Sequence, residues 1–467
     1  MAINQFDLNN KELLSNIQGN ILKAHGRHHT VNLFISGKDG KQEEVKEWLK
    51  SLVEGEEALI KSCYEQLRSN ALWKDKKIDS GTFACIHIST RGYEYLFGPA
   101  EARINEFELT FKRGIELADL NDSNFDTWDA GINDNAHFLL ILADAKPEEL
   151  NRKKVDIQNA AIKGFADVEA IQMGDAIFNQ EGAGLEHFGY VDGISQPLFF
   201  EDEIDNYRVE NNIPPTTLPE DFTFNPEANI DLVLLKDPFV KNKNAMGSFL
   251  VFRKLEQNVE GFKKAEEELA KKLGLKGEDA ERAGAMLVGR FEDGTPVQLS
   301  GEAGLINSAV LNNFDYDFND ESKCPYHAHI RKTNPRSDLI NSPLNDNAKN
   351  FAMARRGITY GERKANLSDK PTKDVGLLFM SYQKSIKRQF EVIQREWANN
   401  EDFINRKETD KVGLDLVIGQ GKRKPLGAYA KVWGETDTQR SGFEQFVTMK
   451  GGGYFFAPSI EFLGKVK

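Results

Sequence analysis

The chain has 467 residues, enough for about two to four domains by length alone. Apolar residues make up 40% and charged residues 28%, the balance of a globular protein able to bury a large core. The formal net charge of −13 argues against non-specific nucleic-acid binding and against anionic membrane surfaces.

From Met1 to Leu14 there is no basic region followed by an apolar stretch, so no signal peptide is expected. No apolar run reaches the roughly 18 residues that suggest a membrane-spanning helix. The cysteines Cys63, Cys85 and Cys324 are odd in number and widely spaced, which reads as reduced thiols in a cytoplasmic protein. β-like runs occur at Val31–Ile35, Thr82–Ile88 and His137–Leu142, with helical spacing over Gln42–Val53 and 56–67 between them. Strands interleaved with helices predict an α+β fold. His25, His28 and His29 lack an acidic or cysteine partner nearby, and read as surface residues. Gly182-Ala183-Gly184 starts like a dinucleotide fingerprint, but no strand precedes it and the later spacing fails.

The next stretch, Gly189-Tyr190-Val191-Asp192-Gly193-Ile194-Ser195-Gln196-Pro197, sets a carboxylate beside glycines that permit a tight loop. Residues 201–240 are polar and carry Pro214-Pro215, and are expected to connect two units as loop. A strand is predicted at Gly247–Phe252, then a charged helix over Val259–Leu273 that ends at Gly274. Further strand-like runs lie at Leu377–Met380 and Tyr454–Phe456. The 31 phenylalanines suit a plain core and equally a buried planar cofactor.

Two more segments carry chemistry. Cys324-Pro325-Tyr326-His327-Ala328-His329-Ile330-Arg331-Lys332-Thr333-Asn334-Pro335-Arg336 holds two histidines two positions apart. On a helix they diverge by about 200°, so one faces a metal; on a strand they share a face and chelate one. Pro325 suits a first helical turn and Asn334-Pro335 its end, which favours a short helix. Arg355-Arg356-Gly357-Ile358-Thr359-Tyr360-Gly361 is the other. A carboxylate, a histidine and an arginine on three such stretches are the parts of a haem peroxidase: proton carrier, iron ligand and charge stabiliser.

In this order the three stretches resemble the dye-decolorizing peroxidases. The resemblance runs from Ile17-Gln18-Gly19-Asn20 to Gly452-Gly453-Tyr454-Phe455-Phe456-Ala457-Pro458-Ser459 and favours the family's larger members. It implies two ferredoxin-like domains with antiparallel sheets, surrounding helices and haem between them: residues 1–200, ending in the Gly-x-x-Asp-Gly loop, and a haem-binding unit over 241–467. It implies one non-covalent haem b per chain, since no Cys-x-x-Cys-His occurs. His329, four residues before Thr333-Asn334-Pro335, is then the axial iron ligand and Asp415 its hydrogen-bond acceptor. Asp192 is the acid-base catalyst and Arg355 the charge stabiliser. Leu377 and Phe379 line the distal side, while Gly193, Ile194, Ser195, Gln196 and Arg331 contact the haem edge or its propionates. Trp397 falls where some relatives carry an aromatic radical site. His327 and Thr359 depart from the family pattern, the latter standing where relatives commonly have proline. The implied partners are hydrogen peroxide and dyes, phenols and other aromatic reductants; oligomeric state is left open. A haem-binding or haem-transfer protein on the same scaffold is the alternative.

Overall fold

The computed structural model describes residues 2–55, 58–305, 311–342, 344–363, 368–404, 411–423 and 427–467. Eight strands build the frame: β1 (His29–Gly37), β2 (Phe83–Ile88), β3 (Phe138–Asp144), β4 (Ala166–Asp175), β5 (Met246–Gln257), β6 (Ile358–Tyr360), β7 (Gly376–Gln383) and β8 (Val447–Ala457). Their spatial order is β6-β7-β5-β8-β2-β3-β1-β4, every neighbouring pair antiparallel. The short strands Leu235–Lys236 and Ala354–Arg355 pair with β5 and β7. Each half of the sequence thus contributes four adjoining strands, joined at the single pair Ile88–Phe456.

The period-2 alternation of these strands divides the apolar residues between two cores. On β1, Val31, Leu33 and Ile35 join the outer core under the helices, whereas Phe34 points the other way. There it meets Phe252 of β5 and Phe455 of β8, at ring centroid distances of 5.4 and 6.2 Å. The two half-sheets therefore face each other across an inner core. Their far edges also meet. A Cβ on Gly174 of β4 would lie 2.8 Å from Cγ2 of Ile358 on β6, so glycine is what permits this approach. The Thr359 hydroxyl donates a hydrogen bond to the Asp175 carbonyl, a tie between the halves that proline cannot make. Thr359→Val is expected to lower stability by about 1 kcal/mol, seen as a lower urea midpoint at unchanged slope.

Several elements differ from expectation. The helix predicted over 56–67 begins at Cys63 and runs to Lys76; Glu56 and Glu57 lie outside the described residues. Ser62 and Glu65 form a reciprocal capping box that sets this start. The connecting segment contains a helix, Glu201–Glu210, whose Ile204 and Tyr207 pack on Ile213 and Phe222. Two apolar anchors among acidic residues gave too weak a period to signal it. β5 is twice the expected length, because Arg253, Leu255 and Gln257 continue its alternation into a cavity wall. The helix Val259–Leu273 and its left-handed cap at Gly274 (φ +76°) lie where the sequence puts them. Among the described residues, no helix is long and apolar enough to cross a membrane.

Candidate active site

A cavity of about 510 Å³ opens against β5, β7 and the three chemistry-bearing segments. That volume is within the roughly 300–1,000 Å³ of small-molecule and cofactor sites. β7 presents Leu377 and Phe379 to it and turns Leu378, Met380 and Tyr382 into the inner core. The phenylalanines serve both purposes the sequence left open: Phe107, Phe111, Phe249 and Phe456 pack on one another, while Phe188, Phe379 and Phe390 border the cavity.

The histidine segment forms a helix over His329–Thr333. Pro325 precedes it, in a turn closed by the Ala328 N–H on the Pro325 carbonyl (3.0 Å), and is not in the first helical turn as predicted. The two histidines part company at the start of this helix: His327 lies in the turn before it and His329 is its first residue. His329 lines the cavity; His327 is buried outside it, edge-on to Tyr429 at 5.0 Å. Burial drives the His327 pKa down to about 3 and keeps the ring neutral. Arg331, two positions beyond His329 on the helix, is turned away by a rotation of about 200°. This corrects the expected propionate contact. Its guanidinium is fully buried, bonds Asp338 at 2.7 Å and donates to the Asp317, Asp320 and Cys324 carbonyls. Arg331→Met takes the guanidinium away from the buried Asp338 carboxylate and is expected to cost about 3–5 kcal/mol in denaturant unfolding.

The His329 Nδ1 lies 2.9 Å from Oδ2 of the fully buried Asp415. The other carboxylate oxygen accepts the Val417 and Ile418 N–H groups at 2.8 Å each, which fixes its orientation. Burial disfavours charge on both groups, yet their mutual attraction prevails: His329 is raised and Asp415 lowered from their ordinary values. With Nδ1 held by Asp415, Nε2 is the nitrogen free to act as a ligand. Asp415 stands behind His329 and does not line the cavity.

Asp192, Gly193, Ile194, Ser195 and Gln196 all border the cavity. Gly193 adopts φ +82°, a left-handed conformation that glycine takes at no steric cost, and its N–H donates to the Asp192 carboxylate at 2.6 Å. Ser195 is left-handed too (φ +63°), and its hydroxyl accepts from the Asn334 side chain at 3.1 Å. That bond ties the Asp192 loop to the end of the His329 helix. Arg355 donates its N–H to the Gln196 side chain (3.1 Å) and a guanidinium N–H to the Ile194 carbonyl (2.6 Å). Burial lowers its pKa and Asp192 opposes that, so the two groups feel each other within the site. Arg356 also reaches the cavity wall, but its guanidinium donates to the Asn20, Ile21 and Arg355 carbonyls. Trp397 is buried in the core, stacked 5.0 Å from Phe403.

Two arginines that sequence reasoning passed over, Arg290 and Arg336, border the cavity near Phe314. Both are buried. They donate to the Gly294, Leu311, Asn312 and Phe314 carbonyls and the Asn312 side chain, not to carboxylates. Burial and their mutual repulsion bring the Arg290 pKa down to about 9. The Arg336 Nε is buried with no hydrogen-bond partner. Arg336 stood inside the quoted histidine segment, directly after Asn334-Pro335; Arg290 carried no motif.

A family model described as Dyp-type peroxidase, C-terminal, matches residues 220–413. The multifunctional dye peroxidase DyP2 of Amycolatopsis is 39% identical over 466 residues, covering 97% of this chain and 95% of that protein. This chain belongs to the dye-decolorizing peroxidase family. A dye-decolorizing peroxidase of Auricularia auricula-judae is 32% identical over 70% of this chain and 65% of its own length. The solved DyP-type peroxidase of Anabaena superposes with a TM-score of 0.89 at 35% identity, covering 100% of this chain and 97% of that one. Dye-decolorizing peroxidases bind haem between two ferredoxin-like domains. The residues here fit that group. An imidazole with a free Nε2 stands on an apolar-walled cavity, and the buried Arg336 Nε, a donor with no acceptor, suits an anionic substituent such as a carboxylate.

Proposed function

We propose that this dye-decolorizing peroxidase holds haem b through His329 and reduces hydrogen peroxide with Asp192 and Arg355 as its catalytic residues. One observation carries the reading: Asp192 and Arg355 share a single cavity with His329, which Asp415 holds from behind. Bound haem supplies the two-electron reduction of peroxide and the one-electron oxidation of donors. The protein's share is binding, orientation and proton movement. The Asp192 carboxylate takes the proton from one peroxide oxygen and returns it to the other, which leaves as water. The Arg355 guanidinium, held by the Ile194 carbonyl while Gln196 holds the Arg355 backbone N–H, faces the charge that develops on those oxygens. Leu377 and Phe379 keep further water away. Asp415 fixes the His329 tautomer and raises the basicity of its Nε2. Arg290 and Arg336, replacing Arg331 in this role, hold the haem carboxylates. Dyes, phenols and other aromatic molecules donate the electrons. The buried free thiols of Cys63, Cys85 and Cys324 support a reducing, cytoplasmic setting.

A protein that only carried haem would need His329 and gain nothing from a paired Asp192 and Arg355. An absorption spectrum of the haem-loaded protein, before and after hydrogen peroxide, separates the two. A histidine-type Soret band that shifts with peroxide and returns as a dye is bleached supports the peroxidase. A bound haem indifferent to peroxide overturns it.

A further inference from the structure

The inner core between the half-sheets buries several polar side chains, Asn32 and Ser248 among them. Tyr382 of β7 and His87 of β2 are both fully buried there, with the tyrosine hydroxyl 2.8 Å from His87 Nε2. His87 Nδ1 lies 3.2 Å from the Leu139 carbonyl. A carbonyl only accepts, so Nδ1 carries the ring proton and Nε2 offers its lone pair to the Tyr382 O–H. The tautomer is therefore set by the backbone, and the phenol has a base aligned on its proton. The Asn20 side chain also acts on the phenol, and Cys85 Sγ stands 3.8 Å from it. Burial lowers the His87 pKa to about 3 and raises that of Tyr382, so at rest both groups are neutral.

The pair lies directly behind the cavity wall. Ala354 pairs with Tyr382 across the short strand that carries Arg355. Arg356, whose side chain borders the cavity, donates its backbone N–H to the Met380 carbonyl at 2.7 Å and acts electrostatically on the Tyr382 hydroxyl. A structural pair would satisfy its own polar atoms equally well. What it would not need is a base on the phenol proton one side chain away from a cofactor cavity.

We propose that Tyr382, with His87 as its proton acceptor, is a protein-based redox site that takes one oxidising equivalent from the cavity. This inference rests on the haem-peroxidase reading above, which supplies the oxidant, haem already oxidised by peroxide. The step balances as follows. One electron leaves the Tyr382 ring for the oxidised haem, and the phenolic proton moves to His87 Nε2. The products are a neutral tyrosyl radical and an imidazolium whose new N–H donates back to the tyrosyl oxygen. An oxidised phenol is a far stronger acid than an imidazolium, even one weakened by burial, so the proton transfer runs in this direction. Re-reduction by a donor at the haem reverses both movements. Full burial keeps the radical from substrates and from water, so the site stores an equivalent when donor is scarce and does not oxidise dyes itself.

The test is electron paramagnetic resonance on the haem-loaded protein, frozen after one equivalent of hydrogen peroxide without donor. The expected result is a radical whose signal narrows with ring-deuterated tyrosine. It should couple to ¹⁵N in histidine-labelled protein and to a proton exchangeable in D₂O, and fall to background in Tyr382→Phe. A tyrosyl signal of undiminished yield in Tyr382→Phe overturns the proposal. So does a signal without histidine coupling, or one carried by sulfur. If Tyr382→Phe fails to retain haem, the three isotope measurements on unaltered protein decide. The absorption change on adding peroxide is recorded in the same samples. Its absence would fault the peroxidase reading, whereas its presence without a histidine-coupled tyrosyl radical faults this site alone.

Discussion

Replacing Asp192 by asparagine is expected to slow the reaction of the haem-loaded protein with hydrogen peroxide by about 10²- to 10⁴-fold, the usual contribution of a positioned acid-base group. The substitution is close to isosteric. An amide oxygen can still accept the Gly193 N–H that fixes the side chain, so the loop and the left-handed Gly193 should persist. What the amide lacks is a site for the migrating proton. Stopped-flow absorbance gives the second-order rate constant directly, and the unchanged Soret band of the resting variant shows that haem is still held. Arg355→Leu is expected to lower the same constant by about 10²- to 10³-fold, as for loss of one fixed donor to a developing oxyanion. A proton carrier and a charge stabiliser act on one transition state, so the double variant should fall short of the product of the two effects. Undiminished kinetics in Asp192→Asn would remove it from the mechanism.

His329→Ala is expected to abolish axial ligation and with it stable haem retention. The informative comparison is Asp415→Asn. The asparagine can keep accepting the Val417 and Ile418 N–H groups through its oxygen, so the segment that carries it should hold its shape. It presents no negative charge to Nδ1, and its NH₂ would meet the imidazole N–H. Loss of such an outer partner typically costs about 10- to 100-fold in affinity or activity. Haem titration followed by a Soret readout measures the first. The iron–histidine stretching frequency of the reduced protein measures the second cause separately, because a less basic ligand lowers it. If His329→Ala kept a normal histidine-type spectrum, the ligand would have to be another residue.

The sequence carried the site's catalytic candidates further than its cofactor contacts, for a physical reason. Asp192, His329 and Arg355 lie on short segments whose glycines and prolines restrict the backbone, and those restrictions can be read in one dimension. The choice of His329 over His327 came from its place four residues before Thr333-Asn334-Pro335 in the family pattern; the segment is helical from His329 onward. The same fact turns Arg331 from the cavity, so the expectation for Arg331 conflicted with the geometry already favoured for its neighbours. Arg290 and Arg336 are brought together by a fold that no local pattern reports, one from a turn after a helix and the other from a left-handed position (φ +52°). In the frame, the signal of a short, largely apolar run marked the strand cores at Val31–Ile35 and Leu377–Met380. It failed at the far end of β5, where charged residues face a cavity and resemble a surface. The helix Glu201–Glu210 was missed because two buried side chains suffice to seat it.

The strand order has a consequence for how the holoenzyme comes into being. β8 pairs with β5 along its length and touches β2 at Ile88, and Val447 borders the haem cavity. On the ribosome, β1 to β7 can emerge and pair in part, but the inner core stays open on one side until Val447–Ala457 has left the exit tunnel. The cavity wall is therefore complete only once this strand has been added beside β5, so stable haem retention is expected to require it.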